Sequence, residues 1–290
     1  MKSYVNKIKG NLSLYTTRKT SNLLDGSYRS IYKGKSMNFD DLREYIPGDN
    51  VKDIDWKASS RSKNLLVKQY IAEKKHNVLL VIDTNRKMLG ASSKQEIKKE
   101  IALMSAGTLG YIAIKNNDVV SAIYSNNQGI VFFPFKSRYD NLEIMLSKCE
   151  HDINDKNNSN INKTLEYIRT NIYNRMLIMI VTDIEGLDNI KESYLKELSI
   201  KNDIFIINIS DTYLFGDNIY NIDNNIYVSN FFTKNKKLFK EEQEMRQELY
   251  KKTLKKFQKY KIVVKTINEC REIPYKFIEL LEERKYGSRN

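Results

Sequence analysis

Short apolar runs, two of them closed by an acid, alternate with helical patterns through the middle of the chain. Asn77–Asp83 is a continuous apolar run ending in an acid, which predicts a buried strand. Met176–Thr182 repeats the pattern and is followed by Asp183. Asp118–Tyr124 and Ile204–Ile209 read as further strands, and Gly129–Phe135 as a hairpin partner of the first of these. Between them, Ser93–Lys115 places Ile97, Ile101, Met104, Thr108, Leu109 and Ile112 at helical spacing. Ser93 and Glu96 have the spacing of a capping box at its start. Helices are also predicted over Tyr139–Lys148, Asn162–Tyr173 and Ile190–Ser199, with an Asn/Asp-rich loop over Asp152–Asn162.

The ends read differently. Residues 1–35 are polar, with weak periodicity, and residues 36–63 scatter apolar side chains among charges in an ordered but irregular segment. Residues 64–72 favour a strand. Lys234–Lys259 is a long Lys/Glu-rich amphipathic helix, followed by a strand at Ile262–Ile267 and a helix from Pro274 to Arg284. Strands alternating with helices of this length predict an α/β fold: a doubly wound, Rossmann-like, mostly parallel sheet, with an irregular N-terminal lobe. The expected division is 1–75 for that lobe, 76–233 for the α/β domain, and 234–290 for a basic extension completing it.

In such sheets, sites form beyond the carboxyl ends of the strands. Asp83 and Asp183 occupy such ends, where capping of the following helix is the alternative role for each. The residues after Asp83 include no Gly-rich phosphate loop, so neither a dinucleotide nor a nucleotide-triphosphate motif is present there. Cys149, Cys270, His76 and His151 are isolated in sequence and match no zinc, redox or histidine-centred catalytic spacing.

Charge sharpens the division. The net charge is +13, yet residues 76–233 hold 16 basic against 19 acidic side chains. Residues 1–75 hold 16 against 8, and residues 234–290 hold 17 against 9. The basic ends admit a nucleic-acid or acidic-protein surface, and ordinary solvated lysine accounts for them as well. No stretch approaches the length of a membrane span, and Met1–Thr20 has no apolar core of a signal peptide, so a cytoplasmic location is expected.

Two resemblances then bear on function. Asp83-x-Asn85-x-Lys87, the later Ser159 and Asp183 resemble the von Willebrand factor A fold. There an Asp-x-Ser-x-Ser motif, a loop Thr and a later Asp hold Mg²⁺ in a metal-ion-dependent adhesion site. By that resemblance Asp83, Ser159 and Asp183 match as ligands, and Asn85 still offers an oxygen. Lys87 does not, because an ammonium has only donors. At about 4 Å and an effective dielectric of about 20, it would repel Mg²⁺ by roughly 8 kcal/mol. Lys87 either swings out, leaving a weak Mg²⁺ site, or takes the metal's place between the two acids. No other cofactor is implied.

The second resemblance lies upstream. Leu42-Arg43-x-Tyr45-x-Pro47-Gly48-Asp49-Asn50-x-Lys52-Asp53-Ile54-Asp55-Trp56, continuing to Ser59-Ser60-Arg61 and beginning at Gly34, is similar to the signature of the domain of unknown function 58 family. Departures are Asn50 for a second Asp, Lys52 for Arg, and the altered Asp-x-Ser-x-Ser. The segment is expected to be either a rigid ion-paired lobe or a docking surface. Pro47-Gly48-Asp49 reads as a turn, Arg43 can clamp Asp49, Asp53 or Asp55, and Trp56 can bury a large area. Asp55-Trp56-Lys57 also matches half of a restriction-type nuclease site, a short pattern that is common by chance. The family resemblance implies partnership with MoxR-type AAA+ ATPases and a client protein, in a non-enzymatic adaptor. The alternative is a nucleic-acid-associated protein using the basic ends.

Overall fold

The alternating runs close into one six-stranded sheet with helices on both faces. The computed structural model describes residues 3–15, 18–33, 41–62, 64–69, 75–212, 220–221, 226–227 and 236–287. In chain order the elements are α1 (Tyr4–Tyr15), α2 (Arg18–Lys33), β1 (Asp41–Glu44), α3 (Trp56–Ser59), β2 (Leu66–Gln69), β3 (Asn77–Ile82) and α4 (Lys98–Lys115). They continue with β4 (Val119–Asn126), β5 (Gly129–Phe132), α5 (Tyr139–Asp152), α6 (Ile161–Asn171), β6 (Leu177–Asp183), α7 (Ile184–Asn189), α8 (Glu192–Lys201) and β7 (Asp203–Ile209). After the short pair β8 (Tyr220–Asn221) and β9 (Ile226–Tyr227) come α9 (Lys236–Gln258), β10 (Val263–Ile267) and α10 (Ile273–Gly287). No helix among the described residues is long and apolar enough to cross a membrane.

The large sheet runs β10-β7-β6-β3-β4-β5. All neighbours are parallel except the β4–β5 hairpin, with Val81 opposite both Ile123 and Ile180. Side chains alternate between faces as a strand's period of two requires. Val78, Leu80 and Ile82 of β3 join one core with α1, α2, α4, α5 and α10. Leu79 and Val81 join the other, under α6, α7, α8 and the end of α9 at Phe257. The apolar runs are continuous because both faces are covered.

The chain leaves β3 for β4 on one side and returns to build β6, β7 and β10 on the other. The connection after β3 leads to α4 on one face, and the one after β6 leads to α7 on the opposite face. The carboxyl ends of β3 and β6 therefore flank the switch point of the sheet, where a crevice opens.

Three local expectations are corrected. Within residues 1–35, read as weakly periodic and part of an irregular lobe, Tyr4–Tyr15 and Arg18–Lys33 form α1 and α2, which bury Tyr4, Ile8, Leu24 and Tyr28 against one face of the sheet. Their apolar stripes are narrow, with i to i+4 spacing only, so the polar remainder conceals them. Each large side chain so buried contributes about 1.5–3 kcal/mol. The capping box at Ser93 does not form: α4 starts at Lys98, and the Ser93 hydroxyl instead bonds Ser210 Oγ at 2.8 Å and Asn268 Oδ1 at 3.1 Å. Residues 184–189, given no element, form α7 because Asp183 caps it, accepting from Gly186 N at 2.9 Å.

Candidate functional site

The site is built where β3 and β6 end. Asp83 continues the sheet by one bond, its N–H donating to Val181 O at 2.9 Å. The chain then turns sharply. Asn85 caps a 3₁₀ turn over Arg86–Leu89, its Oδ1 accepting from Lys87 N at 3.1 Å, while its Nδ2 donates to Ser159 O at 3.0 Å. Thr84 Oγ1 donates to Ser125 O at 2.6 Å, and Arg86 N donates to Asn157 O at 2.8 Å. The Asn85 and Arg86 bonds dock the 153–160 loop beside β3, and Ser159 Oγ comes within 3.3 Å of Asp83 Oδ1.

Asp83 and Asp183 are buried, and each oxygen of both is satisfied. Asp83 Oδ1 accepts from Asn85 N at 2.9 Å and from Ser159. Its Oδ2 accepts from Thr182 Oγ1 at 2.6 Å and lies 3.5 Å from Lys87 Nζ. Asp183 Oδ1 takes Lys87 Nζ at 2.8 Å as well as Gly186 N, and Oδ2 takes Lys98 Nζ at 2.9 Å. Lys98 also bonds Asp211, whose carbonyl accepts from Arg246 of α9 at 3.4 Å. The result is a ladder of alternating charge: Asp83, Lys87, Asp183, Lys98, Asp211.

The five expected site residues, Asp83, Asn85, Lys87, Ser159 and Asp183, thus meet at one strand-end surface. Three further members were not foreseen. Lys98 sits in the first turn of α4, where a lysine normally faces water. Thr182 was read only as a strand residue. Asp211 lies two residues past the end of β7, so a search for acids just beyond strand ends would have found it.

The carboxylates do not fit a divalent cation in this arrangement. Lys87 Nζ stands between them, and the Asn85 oxygen is engaged by the backbone N–H of Lys87. Burial alone would lower the Lys87 ammonium, but Asp83 and Asp183 hold it above its ordinary value. Burial opposes Lys98 likewise, and Asp183 and Asp211 overcome it. Burial raises the Asp183 carboxyl, yet Lys98 and Lys87 together hold it below the usual range. Asp211 shares one ammonium with Asp183, so burial and the neighbouring charge push it up despite Lys98.

The signature residues form a separate small lobe, β1 paired antiparallel with β2; the signature's first residues, Gly34–Asp40, lie outside the described ones. Arg43 chooses Asp49: Nη2 donates to Oδ1 at 2.6 Å and Nη1 to Oδ2 at 2.7 Å. This clamp closes the Pro47-Gly48 turn, in which Gly48 takes a φ of +110° and Asp49 Oδ2 also accepts from Ile46 N at 3.0 Å. Tyr45 N donates to Leu65 O at 2.8 Å. Asp53 ends a 3₁₀ turn that starts at Val51. Asp55 caps α3, its Oδ1 accepting from Lys57 N at 3.1 Å and Ala58 N at 3.0 Å, so the nuclease-like triplet spends its acid on a helix end. Arg61 is exposed. Trp56, expected to bury a large area, is instead 63% exposed. The lobe's described residues bury only two apolar side chains, Ile54 and Val67, which leaves the ring no core to enter.

Comparison with known proteins places this arrangement in a family. Uncharacterized protein Rv1480 of Mycobacterium tuberculosis and uncharacterized protein Mb1516 of Mycobacterium bovis are each 23% identical over 135 residues, covering 47% of this chain and 42% of the relative. The chain thus spans less than half the length of these curated relatives. Among solved structures, BatB from Bacteroides thetaiotaomicron is 14% identical, with a TM-score of 0.44 over 74% of this chain and 100% of that one. The SpRpn10 VWA domain is 10% identical, with a TM-score of 0.38 over 69% and 94%. The family model described as protein of unknown function DUF58 matches residues 41–215, from the β1–β2 lobe through the whole strand-end ladder. The chain belongs to the DUF58 family.

Proposed function

We propose that this chain is a non-enzymatic protein-binding adaptor whose strand-end surface receives a carboxylate from a partner, a MoxR-type AAA+ ATPase that acts with it on a client protein. One observation carries the reading. Lys87 keeps 19% of its side chain exposed, above Asp83 and Asp183, whose side chains are 4% and 2% exposed. The buried acids fix the ammonium in place and leave it presented at the surface. An ammonium has three donors; Asp183 and Asp83 engage two, and the third is offered to a partner. A cation that belongs to the chain replaces one borrowed from solution. Both acids are spent on lysines, hydroxyls and backbone N–H groups, which leaves neither as a general base.

The test uses the purified cognate ATPase, free of nucleotide, against the wild type, Lys87→Arg and Lys87→Met. Binding is expected to persist in excess chelator and in Lys87→Arg. In Lys87→Met it should weaken by roughly ten-fold or more, as loss of an interfacial charge pair requires, while a cooperative thermal transition remains. Binding that requires Mg²⁺, or equal binding by Lys87→Met, rules the reading out.

A further inference from the structure

The strand-end ladder leaves a set of exposed large apolar side chains in the β1–β2 lobe unused. In the β1–β2 lobe Trp56, Ile46 and Val51 are 63%, 60% and 58% exposed, and Leu65 beside Tyr45 is 45% exposed. Monomeric proteins seldom display such a concentration of large apolar groups without a use for it. We infer that this lobe is a second docking surface, for an acidic segment of another protein that carries aliphatic or aromatic side chains.

Charge selects that partner. Three of the lobe's acids are engaged within it. Asp49 is clamped by Arg43, Asp55 caps α3, and Glu44 accepts from the Asn64 amide. Lys52, Lys57 and Arg61 are exposed and make no salt bridge among the described residues. An exposed indole on a small lobe that also exposes aliphatic and basic groups has the composition of an interface hot spot, in which tryptophan and arginine dominate. A second copy of the chain fits poorly, because an isologous contact would bring these like charges together. Nucleic acid would use the cations and the indole but not Ile46, Val51 and Leu65, which match an apolar protein side chain.

The experiment titrates a labelled synthetic peptide alternating glutamate with leucine and phenylalanine against the full chain by fluorescence anisotropy. Controls are the lysine-for-glutamate peptide and a single-stranded DNA oligonucleotide, with sedimentation to follow self-association. The acidic peptide is expected to bind, and to weaken roughly ten-fold or more in Trp56→Ala and in the Lys57→Glu/Arg61→Glu double variant. The lysine peptide should not bind. Trp56 is a surface side chain, so its variant should melt as the wild type does; the charge variant tests the surface without touching the ring. Lys87→Met should leave peptide binding unchanged, which separates this surface from the strand-end site. Failure of the acidic peptide to bind, binding indifferent to both variants, preference for DNA, or dimerisation abolished by Trp56→Ala each overturns the inference.

Discussion

Replacing Lys98 with methionine is expected to cost the folded chain about 3–5 kcal/mol at neutral pH. The methionine stem fills the space, but Asp183 and Asp211 lose the ammonium they share. Asp183 is buried to 1% exposure, so its charge is not rescued by water. Asp183→Asn together with Lys98→Met should be less damaging than the sum of the two, since the pair is removed as a unit.

The pH dependence has a definite sign. Asp183 has a depressed folded value, so its contribution is present above the unfolded pKa of about 3.9 and is lost as pH falls through the folded one. Lys98 and Lys87 have raised folded values, so theirs is complete below about 10.4 and is lost as pH rises through the folded ones. Asp211, with a raised value, favours the folded state on acidification and offsets part of the acid loss. The gap between wild type and Lys98→Met should therefore be widest from about pH 5 to about pH 10 and narrow on both sides. Urea titrations across that range measure it. A difference below about 1 kcal/mol at neutral pH, or one independent of pH, would show that the ladder is not energetically coupled.

Gly186→Ala is expected to cost about 3 kcal/mol, at the upper end for overpacking. A Cβ at Gly186 would stand 2.0 Å from Thr182 Oγ1, 3.0 Å from Asp83 Oδ2 and 3.1 Å from Lys87 Nζ. Thr182 cannot turn aside without giving up its 2.6 Å bond to Asp83, and it is fully buried. The alternative, lifting the start of α7, breaks the Asp183 cap. Gly26→Ala in α2 is the control: nothing lies within 4 Å of its Cβ position, and the exchange should stabilise by about 0.5–1 kcal/mol. Equal melting of Gly186→Ala and wild type would show that α7 can move freely over the site.

The Gly186 contacts also show why part of the site was hidden in the sequence. A glycine in a six-residue helix carries no signal of its own; only the fold reveals that it lies against Thr182. Lys98 is hidden for the same reason. Its neighbours Lys99 and Glu100 are half-buried in the same turn, and nothing local distinguishes the one lysine that enters the crevice. Trp56 is the opposite error, since residue type alone argues for burial and a lobe with two buried apolar groups cannot supply it.

What the sequence determined by itself is the periodicity and its consequences. Continuous apolar runs required strands covered on both faces, their alternation with helices required a parallel sheet, and acids closing two of those runs pointed to the crevice where the candidate site lies. These follow from local geometry, which is written residue by residue. The tertiary structure decided which face each helix covers, and therefore that β3 and β6 part at a switch point. It decided that Lys87 turns inward and that Lys98 and Asp211, 15 and 128 residues beyond Asp83, complete the balance of charge. The reason is the range of the forces involved. Burying a carboxylate demands a countercharge within a few ångströms in space, and only the folded chain specifies which distant residue stands that close.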